Sequence, residues 1–537
     1  MRSKEGAQNK RIFIVIASQK EAGPADGRGR KMPRTFDTAA FRADCRGTPM
    51  NRRDFIKMTA VGAGAALTKP PALTAQSAPA PRPDTMVGMP ISAAPLGAPD
   101  FDRQLADMRQ RGGVNALFPF IYTHELHRSG LDLGNFSGKF RGGNYAIPHM
   151  EYYKDTILTY EDMRAPEFGD KDLFAAAIPA AHREGIKMFA WLIEDNHCPT
   201  EIPHWEKLYE VDFHGRRATG HPSGPCKNNP YYRGYLLNLV EDYIRSYPID
   251  GIMWGAERQS GFLNALNTGD SGRATCFCEF CQKKAKDAGI DVERARRGFG
   301  ELEVFMRARK AGQRPRDGYL SSFWRILLNH PELLAWENLW VRGRHELEAD
   351  LHRKVKSINP ALPIGWHVWQ NVTFSPLQRA EEDYGVMKEF SDFVRPAVYN
   401  NCAGERFHAW VNGSLGAVYG DLPVAETMDV LYRQLGFQEA PYDQVTKAGF
   451  SADYVERETR RAVEGVAGSA TQVWPGVDID VPVPESASQC TPAGVKAAVQ
   501  AVFKAGATGI ILSRNYVEMK PEHLSAAGDG LRELGLI

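Results

Sequence analysis

The chain contains no run of about eighteen apolar residues, so the sequence offers no membrane-spanning helix. It lacks the G-x-G-x-x-G and P-loop patterns that cradle nucleotide phosphates, and no organic cofactor is expected. No internal repeat is visible, which sets aside solenoids and propellers. H-x-H and H-E-x-x-H spacings are missing too. A metal-dependent hydrolase or lyase would have to gather His124, His197, His214 or His367 from distant segments.

Strong charge of either sign is also absent: the 537 residues carry a formal net charge of +1. Residues 1–75 hold 15 of the 66 Lys+Arg and 6 of the 65 Asp+Glu, leaving 51 against 59 in the remainder, near −8. A nucleic-acid surface is not expected from that balance. Within this first part, residues 50–75 read MNRRDFIKMTAVGAGAALTKPPALTA. Arg52-Arg53, Phe55 and Lys57 precede a mild Gly/Ala-rich apolar stretch and then Lys69 and Pro70, the order of a twin-arginine export signal with cleavage after Ala75. A bacterial protein delivered to the periplasm or beyond is expected, with Met50 as its start and residues 1–49 upstream of it. Residues 76–95, rich in Pro, Ala and Ser, read as a linker, and 96–537 as the catalytic barrel.

What is present is concentrated between residues 226 and 281. GYLLNLVEDYIRSYP has apolar residues at helical spacing and stops at Pro248; IDGIMW is a short apolar run suited to a buried parallel strand; Glu257 follows at its end. Helix, tight turn, buried strand and carboxylate form one unit of an α/β barrel, in which chemistry sits at the carboxyl ends of the strands. Further strands are expected at VNALFPFIY, Ile186–Ile193, PIGWHVW, FVRPAVY, TQVWPGVDI and GATGIILS, with an eighth, weaker, in GAVYGD ending at Asp421. The expected fold is therefore an α/β (β/α)8 TIM barrel with an enlarged helical excursion over 282–359 and long loops over the carboxyl-terminal face.

Cys276, Cys278 and Cys281 form C-x-C-x-x-C, and Cys226 is a fourth thiol that the intervening helix and strand can fold back upon them. Four thiolates close a tetrahedral zinc site of structural type; one disulfide with spare thiols is the other reading, credible in an exported protein.

CKNNPYYRGY, a helix, a strand ending in Glu and then C-x-C-x-x-C resembles the layout of the β-galactosidases of glycoside hydrolase family 42, over residues 226–281 only. The resemblance implies that Cys226, Cys276, Cys278 and Cys281 hold structural zinc and that Glu257 is the acid/base. That family carries Asn-Glu at the strand end where this chain has Ala256-Glu257, so the resemblance extends to a glycosidase-like barrel and not to a β-galactoside substrate.

Glycoside hydrolysis needs two facing carboxyls, one of them kept protonated. Glu257, beside the apolar Trp254, is the expected acid; Asp478 is the expected partner, ahead of Asp480, Asp421 and Glu194. Tyr145, His149, Tyr152 and Tyr153 in a Gly-rich aromatic loop, Glu194, Asp195, Asn196 and His197 at one strand end, His214 and His221 in the next connection, and Trp254, Trp366, His367, Arg395, Tyr399 and Arg514 elsewhere at the mouth are candidates for an oligosaccharide site. A barrel that binds carbohydrate without cleaving it is the alternative. It predicts no second carboxylate facing Glu257.

Overall fold

The computed structural model describes residues 85–133, 138–194, 202–217, 224–268, 274–414 and 416–537. The twin-arginine segment and everything before it lie outside the described residues, as do Asp195, Asn196, His197 and His221.

Met86–Ile91 (β1) is a fully buried strand, so the expected linker over 76–95 is corrected: the barrel begins inside it. The Pro, Ala and Ser content of 76–95 masked the strand, which admits Pro90 although proline removes a ladder donor. The other barrel strands are β2 (Ala116–Thr123), β3 (Lys187–Glu194), β4 (Gly251–Ala256), β5 (Ile364–Val368), β6 (Phe393–Pro396), β7 (Gln472–Val473 and Gly476–Asp478) and β8 (Gly509–Ser513). β7 is interrupted at Trp474-Pro475, where proline supplies no N–H. Its first half pairs with β6 through Phe393↔Gln472, its second half with β8 through Leu512↔Val477, and the Val398 N–H reaches the Gly476 carbonyl at 2.9 Å. β8 pairs with β1, and β1 with β2. Each of these pairings is parallel, and the ring closes. The described residues thus form an eight-stranded (β/α)8 barrel, as expected.

Helices separate the strands: α1 (Phe101–Gly112), α2 (Leu173–Arg183), α3 (Pro230–Ser246), then an excursion of α4 (Gly261–Thr268), α5 (Glu279–Asp287), α6 (Val292–Lys310), α7 (Tyr319–Asn329) and α8 (Glu332–Ile358). After β6 come α9 (Ala403–Ser414) and α10 (Ala452–Gly465), after β7 α11 (Pro492–Lys504), and after β8 α12 (Pro521–Glu533). Asp172 caps α2 by accepting from the Phe174 and Ala175 N–H groups, and Asn229 caps α3 ahead of Pro230. The GAVYGD strand is corrected: Gly416–Tyr419 is helical, and Asp421 caps α7, accepting from the Tyr319 N–H at 2.8 Å.

Alternation along each strand decides which side chains enter the barrel. Phe118, Phe189, Trp191, Met253, Phe393 and Trp474 fill the lumen. Trp254 and Trp366 fall on the opposite parity, among the residues that pack the sheet against its helices, with ring centroids 6.2 Å apart. Neither faces the mouth, which corrects both as sugar-binding candidates.

Candidate active site

Glu257 follows β4 on the inward parity and stands at the mouth, its side chain 25% exposed. One oxygen, Oε2, accepts from Arg128 Nη2 at 2.8 Å; the other, Oε1, accepts from His367 Nε2 at 2.9 Å. Burial opposes ionisation, but the charge of Arg128 and the His367 hydrogen bond outweigh it and hold the Glu257 carboxyl well below the usual carboxylate range. The raised pKa expected of a proton donor is therefore corrected. Trp254 points away, and cationic neighbours take its place.

Beneath Glu257 lies a chain of buried donors. Arg395 on β6 donates through Nη1 to His367 Nδ1 at 2.8 Å and through Nη2 to the Tyr399 hydroxyl at 2.6 Å, and it also bonds Ser513 at the end of β8. Its guanidinium carbon stands 5.4 Å above the Trp191 ring. A Cβ on Gly476 would come within 2.3 Å of Arg395 Nη2, so β7 needs glycine there to admit the guanidinium. Burial and Arg395 push His367 down to about 4, against the pull of Glu257, so the imidazole is neutral.

Three members of the site escaped the sequence reading. Arg128 also donates to Glu125 Oε2 at 2.8 Å, so a single guanidinium joins two carboxylates. Arg406, on the first turn of α9, donates to the Gln370 side-chain oxygen at 2.7 Å. Glu125 and Arg128 belong to T-H-E-L-H-R directly after β2. The strand-end rule that located Glu257 applied there equally. His127, 3.3 Å from Glu125, is pushed down to about 4 by burial and by Arg128.

Several expected residues serve the framework instead. Asp478 is 1% exposed: Oδ2 accepts from the Cys402 N–H at 2.9 Å, and Oδ1 from the Val481 N–H at 3.1 Å and the Cys490 thiol at 3.5 Å. Burial raises its pKa against those amide bonds, but both oxygens face polypeptide. Its role as the second catalytic carboxylate is corrected on that ground. Asp480 accepts from His523 at 2.8 Å. Glu194 is buried in an ion pair with Arg258 and accepts from the Tyr232 hydroxyl at 2.9 Å, not from an opening. His149 Nδ1 and the Tyr153 hydroxyl both meet Asp242 on α3, at 2.8 and 3.0 Å, and Tyr145 is buried against Phe168. The aromatic loop therefore packs on the barrel flank. Arg514 binds Glu518 at 3.0 Å and is half-buried near the mouth. Tyr399, His367 and Arg395 are joined in one hydrogen-bonded chain beneath Glu257.

Among the described histidines no metal centre assembles. His214 lies 3.3 Å from Glu303 in the helical excursion, and His124 packs edge-on to Trp205. The four cysteines do converge: their Sγ atoms lie within 4.8 Å of one another, with Cys226 3.5 Å from Cys281 and 3.6 Å from Cys278. Sulfurs about 2.3 Å from a tetrahedral zinc would be roughly 3.8 Å apart, so the donor set fits that ion. Cys276 accepts from the Val211 and Cys278 N–H groups, and Cys281 from Asn228 Nδ2, each at 3.4 Å, which suits sulfurs carrying negative charge. Cys226 enters α3 and the other three enter α5, so such an ion would clip the loop after β3 to the loop after β4. Arg258 works alongside it, holding Glu194 and, at 3.5 Å, Glu210.

No protein-family model and no curated protein sequence matches the chain. Solved structures that it resembles include glycoside hydrolases. An α-L-fucosidase from Paenibacillus thiaminolyticus is 13% identical, over 84% of this chain and 49% of that one, at a TM-score of 0.43. A β-galactosidase from the psychrophilic Marinomonas ef1 is 11% identical, over 84% and 61%, at 0.46. A glycoside hydrolase domain from Bordetella bronchiseptica is 12% identical, over 84% and 99%, at 0.46. The chain thus spans about half the fucosidase and three fifths of the galactosidase. At such scores these likenesses carry no argument about the site; the barrel rests on its own strand pairing.

Proposed function

We propose that the protein is an exported glycoside hydrolase whose reaction centres on Glu257. The observation that carries this reading is a carboxylate at the mouth end of the fourth barrel strand, held ionised by Arg128 and oriented by a neutral His367. An ionised, oriented carboxylate suits attack on the anomeric carbon, or stabilisation of the positive charge that develops there. Glu125 is the carboxyl best placed to supply the proton. The charge of Arg128 is the largest influence that lets Glu125 and Glu257 ionise side by side, and the charge of Glu257 pushes Glu125 up against it. A substrate that displaces the guanidinium leaves two like charges together, and one of them takes up a proton.

Structural zinc at the four cysteines is part of the proposal, as is export through residues 50–75 with an oligosaccharide as the partner. The bound ion would fix the two loops that flank Glu257, and no chemical step passes through it.

Glu257→Gln, assayed beside the wild type on aryl glycosides and on plant and microbial oligosaccharides, tests the proposal. Hydrolysis lost in the amide variant with its circular dichroism unchanged supports it. Hydrolysis unaffected by the amide overturns the assignment. A second reading, a barrel that binds sugar without cleaving it, is favoured by one observation: Asp478 and Glu257 both have their oxygens engaged by protein donors. Binding without turnover in either form selects it.

A further inference from the structure

Two arginines at the mouth form no direct ion pair among the described residues. Arg395, 0% exposed, spends its hydrogen bonds on His367, Tyr399 and Ser513, all uncharged. Arg406 is half-buried, and among the described residues its side chain donates one hydrogen bond, to the neutral amide of Gln370. The other two arginines are matched: Arg128 by Glu125 and Glu257, Arg514 by Glu518. A guanidinium removed from water without a counter-charge is costly, and the cost is recovered if a ligand brings the charge.

The simpler account makes Arg406 a clamp. Gln370 does link it to the chain, because the Gln370 amide also donates to the Tyr399 carbonyl at 2.7 Å. That clamp uses one of the five N–H groups of Arg406. The guanidinium carbon lies 5.8 Å from the centre of the Tyr399 ring, and its charge is felt at both Glu257 and Asp478, so it borders the same mouth as the candidate carboxylate.

Resting on the glycosidase reading of this mouth, we propose that the sugar substrate is anionic, carrying a carboxylate or a sulfate ester that the unused fork of Arg406 binds. Two parallel N–H groups match two oxygens of either anion, and the buried charge of Arg395 adds attraction from below.

The test is isothermal titration of the full chain, in low and moderate salt, with three oligosaccharides of equal length: an oligogalacturonate, a sulfated galactan and a neutral galactan. One anionic arm should bind at least about tenfold more tightly than the neutral one, with a preference that shrinks as salt is added; the arm that does so identifies the anion. Arg406→Gln should bring the anionic-to-neutral ratio close to one, and Arg406→Lys should keep part of it. Should the Gln variant lose its fold by circular dichroism, the Lys variant and the salt dependence of the wild type decide. Equal or tighter binding of the neutral sugar, no binding of either anion, or a preference untouched in Arg406→Gln overturns the inference. Anionic sugar bound and never cleaved retains it while removing the glycosidase reading. Neutral sugar cleaved in a Glu257-dependent way, with no anionic preference, does the reverse.

Discussion

Arg395 Nη1 donates to His367 Nδ1 across 2.8 Å, and this contact fixes where the imidazole carries its proton. A guanidinium can only donate, so Nδ1 must present its lone pair and the hydrogen sits on Nε2, directed at Glu257 Oε1. Nitrogen-15 NMR should find His367 neutral and protonated at Nε2 from pH 8 to about 5. In Arg395→Met the positive neighbour is gone, and the imidazole pKa should rise from about 4 toward 6.5.

The same shifts set a pH dependence of stability. Folded His367 and folded Glu257 both have depressed pKa values, so each binds fewer protons than in the unfolded chain. The stability they confer is complete above pH ~6.5 and is lost as pH falls. His367, moving from 6.5 to about 4, accounts for roughly 3 kcal/mol, and Glu257 adds to the loss below pH ~4.3. Denaturant melts at several pH values between 7.5 and 4 should show this slope, and His367→Gln should flatten it.

Arg128→Gln removes the one cation that two carboxylates share. It should destabilise the fold by about 3 kcal/mol and raise the apparent pKa of the Glu125–Glu257 pair, visible as a melting temperature that recovers on acidification.

Asp478→Asn keeps an acceptor for only one of the Cys402 and Val481 amides, which reach different oxygens, and turns an NH2 toward the other; hydrolysis should persist, with a loss of about 1–3 kcal/mol in stability. Glu257→Gln should lower kcat by about 10²- to 10⁴-fold. Steady-state kinetics of the two amides side by side separate a wall residue from a reacting one.

With zinc in the cysteine clip, metal analysis should return one ion per chain. Chelation or Cys281→Ser should release it and lower the melting temperature by several degrees while circular dichroism still reports the barrel.

The parts legible in the sequence were those encoded locally. IDGIMW announced a buried strand, and its end located Glu257; the spacing of Cys276, Cys278 and Cys281 announced their cluster. Side-chain direction was harder to read. Trp254 is one parity step from the lumen, and nothing in a continuous apolar run says which face is inward. Asp478 looked reactive because it ends a strand, yet its oxygens are taken up by Cys402 from the loop after β6 and by Val481 and Cys490 of the loop that follows it. Arg406 sits on a helix among ordinary polar residues. Its place beside Tyr399 depends on how α9 enters after β6.

The Ser92 N–H meets Asn515 Oδ1 at 3.0 Å although 423 residues separate them, just beyond the seam where β1 joins β8. Sealing that seam is a step of very high contact order, and its entropic cost falls on a search across nearly the whole chain. Until it is complete, β1 and β8 each show an unpaired edge, an invitation to partner with another molecule. Refolding from denaturant should therefore be slow and sensitive to protein concentration, with off-pathway aggregation competing at the final docking of β1.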